Sequence, residues 1–410
     1  MKILIVGAGF VNKGAQSMLF ITADEIQKRC PDSEIYFTTP ENLDMSNYKF
    51  KNVFYTPLTQ ELALKKVSYP FYALKYFMKD TIKYIVGRRK QLFKSGEFRK
   101  IVNQVDLIID VSGFNLGEKW DILSHKMYLN NIKLAKKNGI PIYLMPQSFG
   151  GFAYSDDKKF LLDEMAVWLK YPKIIFAREP QGKEMLESSF KLSNVERSYD
   201  LVLQNKGVTL SNLFIKRTEF KLPDLPDGNN VAIIPNKQCF NHGSKEAILA
   251  MYRSVVAELE GKKKNIYIFR HSDDDKEVCE LIYGMFKEHL QVNLIDREFN
   301  CLEYDRFIRN FQFIICSRFH GIVHAYRNNI PSVALGWEIK YQELAKAVGQ
   351  EQFVFSIISS SIDTEGILKA VDDLCDSYSD ESLTIQNHLV SIQSDNCFDK
   401  ISELKGEKAK

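Results

Sequence analysis

Short apolar runs alternate with longer amphipathic stretches along most of the chain. Ile3–Val6, Ile35–Phe37, Leu107–Asp110, Ile142–Met145 and Ile174–Phe176 read as buried strands. Helical periodicity fills the intervals, as in Ala15–Arg29, Ile122–Asn138 and Lys158–Leu169. Strands that alternate with helices define βαβ units and a parallel sheet. The rhythm breaks at Gln204–Asn230, where Pro223, Pro226 and Asp227-Gly228-Asn229-Asn230 carry turn chemistry. It restarts with strands at Val231–Ile234, Ile266–Phe269, Val292–Ile295, Phe313–Cys316 and Ser332–Leu335. Helices are expected over Lys245–Glu260, Asp275–Glu288, His320–Arg327 and Tyr341–Val348.

The expected fold class is therefore α/β, with two Rossmann-like domains built on parallel sheets. The first covers residues 1–205 and the second 231–370, joined by a linker at 206–230. Residues 371–410 form a helical extension and a tail, whose last residues, Lys405–Lys410, are expected to fray. Parallel sheets bind ligands beyond the carboxyl ends of their strands, so two such domains place the active site in the cleft between them.

Composition narrows the function classes. At 410 residues, 45% hydrophobic and 26% charged, the chain is an ordinary globular protein of about two domains. A net charge of +3 argues against a protein that coats nucleic acid. The seven cysteines are scattered without a CxxC pair, which fits reduced thiols and no zinc ribbon. The apolar start Met1–Val6 is too short for a signal h-region, and no window reaches the ~20 apolar residues of a membrane span. The expected location is cytoplasmic.

One stretch departs from this balance. Lys65–Lys100 holds eleven Lys or Arg against two acids, a net +9 that leaves the rest of the chain at −6. Eight aromatic residues are interleaved with the cations. Such a basic segment with aromatic anchors suits an anionic membrane surface, at about 1 kcal/mol per well-placed cation. The protein would then lie peripherally on the inner face of the cytoplasmic membrane. The plainer alternative is a helical insertion whose aromatics pack on the sheet while its cations stay solvated. Nucleic acid is disfavoured by the acidic remainder.

Candidate chemistry clusters after the predicted strands. Gly7-Ala8-Gly9-Phe10-Val11-Asn12 is an imperfect dinucleotide fingerprint, with Asn12 where the third glycine belongs. Its glycines, followed by Asn12-Lys13-Gly14 opening a helix, still bring backbone N–H groups and a positive dipole end to the cleft. Asp110–Asn115 and Met145–Gly151 put small and amide side chains, Gln147 and Ser148 among them, where sugar hydroxyls could be bound. Arg178 ends a strand and suits a carboxylate or phosphate; the alternative is a structural pair with Glu179 or another acid. His271 ends a strand of the second domain and is a lesser candidate for the same anion.

The strongest constellation is Cys316-Ser317-Arg318-Phe319-His320-Gly321, on a strand–turn–helix. Ser317, Arg318, His320 and Gly321 together offer donors, a proton carrier and a nest of backbone N–H groups. A helix N-terminus disfavours a permanently charged His320. His320 and His324 have i, i+4 spacing, but no third ligand accompanies them, and a metal site is not expected. Glu338 and Lys340 follow the next strand at the cleft edge.

Ser317-Arg318-Phe319-His320-Gly321, read on through Ala325 and Pro331 to Lys340, resembles the signature of the polysaccharide pyruvyl transferase family. Gly7 with Asn12-Lys13-Gly14-Ala15 resembles its N-terminal glycine–asparagine loop. Gln147-Ser148-Phe149-Gly150 is similar to its GQSxGP loop, and Ala177-Arg178-Glu179 to its arginine strand end. Pro146 and Gly151 depart from that loop pattern. The resemblance spans roughly residues 1–350 and implies a GT-B-like pair of domains. It implies transfer of pyruvate from phosphoenolpyruvate, a co-substrate, to a sugar or lipid-linked oligosaccharide, forming a ketal during synthesis of a surface polysaccharide such as a capsule. On that reading His320 is the general acid/base and Arg318 holds the carboxylate or phosphate. Arg178 and His271 attend the same anion, and Asn12, Gln147 and Ser148 the acceptor hydroxyls. Ser317, Gly321, Glu338 and Lys340 complete the substrate contacts. Ketal formation calls for no cofactor and no metal. A nucleotide-sugar glycosyltransferase and a non-catalytic sugar-binding relative are the alternatives.

Overall fold

The computed structural model describes residues 1–65, 96–226, 228–358 and 361–405. Seven parallel strands form the first sheet: β1 (Lys2–Val6), β2 (Glu34–Thr39), β3 (Phe50–Phe54), β4 (Leu107–Asp110), β5 (Ile142–Gln147), β6 (Ile175–Ala177) and β7 (Val195–Arg197). Their order is β3-β2-β1-β4-β5-β6-β7. Six parallel strands form the second: β8 (Asn230–Ile234), β9 (Asn265–Phe269), β10 (Val292–Ile295), β11 (Phe313–Cys316), β12 (Ser332–Gly336) and β13 (Val354–Ser356). Their order is β10-β9-β8-β11-β12-β13. In both sheets the strand order reverses beside the first strand, between β1 and β4 and between β8 and β11. Those are the switch points at which a doubly wound sheet opens a crevice.

The central strands are apolar throughout because helices cover both faces. Ile3, Leu4, Ile5 and Val6 are all buried, as are Phe313, Ile314, Ile315 and Cys316. Helix α1 (Lys13–Arg29) is unusual in burying thirteen of its seventeen residues. It lies between the domains, so one core cluster runs from Ile3 and Ile5 through Met18 and Phe20 to Ala232, Ile314 and Val323. Asn12 starts the helix by accepting a hydrogen bond from the Gly14 amide at 2.8 Å. Ahead of it the chain turns at Gly7, which has φ +76° and packs so closely on Ser112 that a Cβ would sit 2.7 Å from the Ser112 nitrogen. Only glycine fits there.

The stretch expected to link the domains carries the short helix Leu210–Leu213. Leu213 is fully buried, and Phe214 packs on Tyr48 with ring centroids 5.1 Å apart. The helix Thr364–Ile392 runs on from the second domain, and the tail returns to the first. There Lys400 pairs with Glu196 at 2.7 Å, Tyr143 donates to Glu403 at 2.7 Å, and Ile401 and Leu404 are buried. Residues 406–410 of the tail lie outside the described residues, as do 66–95 of the basic segment. The described end of that segment contributes Phe98, which is fully buried against Tyr55. No helix among the described residues is long and apolar enough to cross a membrane.

Candidate active site

The two switch points face each other across the domain interface. From the first domain come the β1–α1 loop and the N-terminus of α1. From the second comes the turn that leaves β11 and enters the helix Phe319–Arg327. Asn12 and Ser272 form an antiparallel bridge that joins the β1–α1 loop to the loop after β9.

His320 rests against α1 at Gly14. A Cβ at that position would come within 2.8 Å of the imidazole Cδ2, and closer still to Cγ and Nδ1. The glycine is thus the slot that admits the ring. His320 Nε2 lies 3.6 Å from Asp200 Oδ2, a charge contact longer than a hydrogen bond. Burial pushes the His320 pKa down, and Asp200 opposes that shift. Asp200 in turn pairs with Arg178 and accepts from the Val202 amide at 2.8 Å. Burial alone would raise the Asp200 pKa, but Arg178 and His320 hold the carboxyl far below the usual range. A carboxylate that Arg178 favours in its charged form therefore stands beside the imidazole.

Arg178 is a clamp more than a free cation. Besides Asp200 it donates to the Gly113 carbonyl at 2.6 Å and to Ser148 Oγ at 2.9 Å, and its guanidinium stacks over Phe319 at 5.1 Å. Its acid partner is Asp200, while Glu179 accepts from Ser148 Oγ at 2.7 Å. Arg318 is likewise anchored, with Nε and Nη2 bidentate on the fully buried Asp275 and Nε at 2.7 Å. No described residue takes the Nη1 edge of Arg318.

The other predicted residues divide. Glu338 and Lys340 form a 2.5 Å ion pair at the cleft mouth, and Lys119 of the first domain reaches Glu338 at 2.9 Å. Lys340 lies over Phe114 and Phe319, and burial lowers its pKa. These residues border a pocket of about 240 Å³ whose walls include Phe114, Ser148, Glu179, Gln181 and Trp337. Asn12 is exposed at the loop end. Gln147 is fully buried and accepts from the Tyr128 hydroxyl at 3.0 Å, so its amide serves the domain interior. Ser317 is fully buried, with its carbonyl taken by Tyr341 and Asn236. Gly321 has no room for a side chain, since a Cβ would lie 2.7 Å from Cys316 Sγ. His271 is buried with neither ring nitrogen bonded to a described residue. His324 spends both nitrogens on Ser17 and Asp305, at 2.9 and 3.0 Å.

Asp200 and Asp275, which set the two central side chains, were not among the sequence candidates. Asp200 precedes the apolar Leu201-Val202-Leu203, and the only local signal is that of a helix cap. Asp275 ends the run Asp273-Asp274-Asp275, which reads as a solvated face.

Two facing parallel-sheet domains with a cleft between their switch points place the molecule among GT-B-like proteins. Solved structures agree. A UDP-GlcNAc 2-epimerase from Neisseria meningitidis bound to UDP-GlcNAc superposes with TM-score 0.57 at 14% identity, over 99% of this chain and 100% of that one. The UDP-GlcNAc 2-epimerase of Methanocaldococcus jannaschii gives 0.55 at 11%, over 92% and 93%. A spinosyn rhamnosyltransferase gives 0.51 at 13%, over 96% of each chain. At such identities the likeness is one of fold. No curated protein matches the sequence. The model of the polysaccharide pyruvyl transferase family matches residues 12–339, and the chain belongs to that family.

Proposed function

We propose that the protein transfers pyruvate from phosphoenolpyruvate to two hydroxyls of one sugar, forming a pyruvate ketal and releasing phosphate. The observation that carries this reading is the His320–Asp200 pair, set between the two switch points with Arg318 beside it. His320 gives a proton to the vinylic C3, and C2 becomes oxocarbenium-like. A sugar hydroxyl adds to C2, the C2–O bond to phosphate breaks, and phosphate leaves with the bonding pair. The second hydroxyl then adds to C2 and closes the ring. Of the two hydroxyl protons, one replaces the proton given to C3 and the other leaves with phosphate. Asp200 keeps the imidazole oriented and stabilises its charged form, and the free edge of Arg318 stabilises anionic charge on the donor. The Trp337–Phe114 pocket is the acceptor side, where aromatic faces and carboxylates suit a sugar. The test is phosphate release from phosphoenolpyruvate across a panel of acceptor sugars. Release that requires an acceptor supports the reading. Transfer from a nucleotide sugar without phosphoenolpyruvate would replace it with the glycosyltransferase alternative.

The sugar acceptor would be lipid-linked, and residues 65–100 would hold the protein to the cytoplasmic face of the membrane. Their charge of +9 supports this, while buried Phe98 shows that the segment's end serves the fold. Vesicle sedimentation should then need anionic lipid, weaken with salt, and fall when Arg88, Arg89 and Lys90 become glutamate. Equal recovery on neutral and anionic vesicles at low salt would discard the membrane role.

A further inference from the structure

Beside His320 the domain interface encloses a group of polar side chains without partners. Lys13, the first residue of α1, is 1% exposed, and no described residue accepts a hydrogen bond from its Nζ. His271 is 2% exposed with both ring nitrogens unbonded. The Tyr304 hydroxyl is buried and unbonded as well. These groups are neighbours. The His271 and Tyr304 rings meet edge-to-face at 4.9 Å. The Asn12–Ser272 bridge brings the residue before Lys13 against the residue after His271. Tyr304 Oη and Arg318 Cβ both border the space over Gly321.

A buried ammonium without a partner is strongly destabilising, and each unbonded imidazole or hydroxyl adds to that cost. A fold tolerates such a cluster where a ligand completes it. The kind of ligand follows from the inventory. Lysine has three donors and no acceptor, and tyrosine and imidazole can both donate. What is missing is an acceptor with several oxygens and negative charge. Burial, and after it the charges of Lys13, His324, Arg318 and His320, press His271 toward its neutral form. Burial lowers the Lys13 pKa, and the carboxylates that act on it, Glu298, Asp273 and Asp275, do so from beyond hydrogen-bonding reach.

We propose that Lys13, His271 and Tyr304 form a phosphate-binding subsite, separate from the free edge of Arg318. The subsite stands on its donor set alone. Its assignment to the phosphate of phosphoenolpyruvate rests on the function proposed above, and Arg318 would then face the carboxylate. Lys13 comes from the first domain and the other two from the second, so the ligand binds both halves of the interface at once.

The experiment uses the full chain and inorganic phosphate. Thermal melting and calorimetry follow binding to the wild type and to Lys13→Met, Lys13→Arg and Tyr304→Phe, with pyruvate as the carboxylate probe. Phosphate should stabilise the wild type, bind at least about tenfold more weakly to Lys13→Met, and recover in part with Lys13→Arg. Tyr304→Phe should lose several-fold in phosphate affinity. Without ligand, Lys13→Met and Tyr304→Phe should melt no lower than the wild type, because each removes an unsatisfied polar group; a purely structural role predicts the opposite. An unchanged phosphate affinity in Lys13→Met, no stabilisation of the wild type, or a Lys13-dependent response to pyruvate alone would overturn the proposal. Phosphoenolpyruvate turnover that is indifferent to Lys13→Met would remove the subsite and leave the pyruvyl transfer reading standing. Phosphate binding without acceptor-dependent turnover would do the reverse.

Discussion

Gly14→Ala isolates the slot that holds His320. The new methyl would lie 2.8 Å from Cδ2 and nearer to Cγ and Nδ1. Carbon pairs rest at about 3.5–4.0 Å, so the ring must retreat by more than about 1 Å. It cannot do so without altering its 3.6 Å approach to Asp200. A displacement of that size at a reacting group costs on the order of 10²-fold in rate. The overlap also costs about 1–3 kcal/mol of packing, offset in part by the up to about 1 kcal/mol by which alanine exceeds glycine in helix propensity. The expected signature is a protein that stays folded, with a melting temperature somewhat below wild type and kcat reduced about a hundredfold. Phosphate release with a working acceptor measures the rate, and thermal denaturation measures the fold. The control is the same change in a His320→Ala background, where the methyl has space and the two losses should not multiply. Near-normal turnover in Gly14→Ala would refute the argument. So would an equal further loss in the His320→Ala background, because the damage would then not pass through the ring.

His320→Gln should lower kcat by about 10²–10⁴ without unfolding the protein, as read by turnover and circular dichroism. Asp200→Asn removes the influence that raises the His320 pKa, so the limb of the pH–rate profile set by His320 should shift to lower pH. An unmoved limb would detach the two residues. Arg318→Lys keeps the charge but loses the fork held by Asp275, and the KM for phosphoenolpyruvate should rise markedly. Asp110 is fully buried and its pKa is pushed up to about 6. The unfolded chain therefore binds fewer protons than the native one between about pH 4 and 6, and native stability falls as pH rises through that window. Asp110→Asn should flatten the fall across that window, as measured by urea unfolding.

The strands missing from the sequence pattern share a position. β3, β7 and β13 each lie at the edge of a sheet. An edge strand is covered less fully, so its residues need not be uniformly apolar; Phe50–Phe54 carries Lys51 and Asn52, and Val195–Arg197 carries Glu196 and Arg197. The central strands had no such freedom, and Ile3–Val6 and Phe313–Cys316 stood out as solid apolar runs. In the site, Arg318 and His320 were legible because residue type and strand-end position coincide there. Their carboxylate partners were not, because Asp200 meets His320 only through the pairing of two domains 120 residues apart in sequence. Lys13 gave the wrong local signal. A lysine at a helix start reads as solvated, and only the second domain closing over it makes it buried.

The return of the tail to the first domain bears on the order in which the protein can be made. The surface that receives Ile401 and Leu404 belongs to residues synthesised early, around Cys30, Tyr143 and Glu196. While the second domain is still emerging from the ribosome, that surface has no cover. The first domain is begun first and completed last, and a message that stops after the helix Thr364–Ile392 would release a chain whose apolar patch never closes.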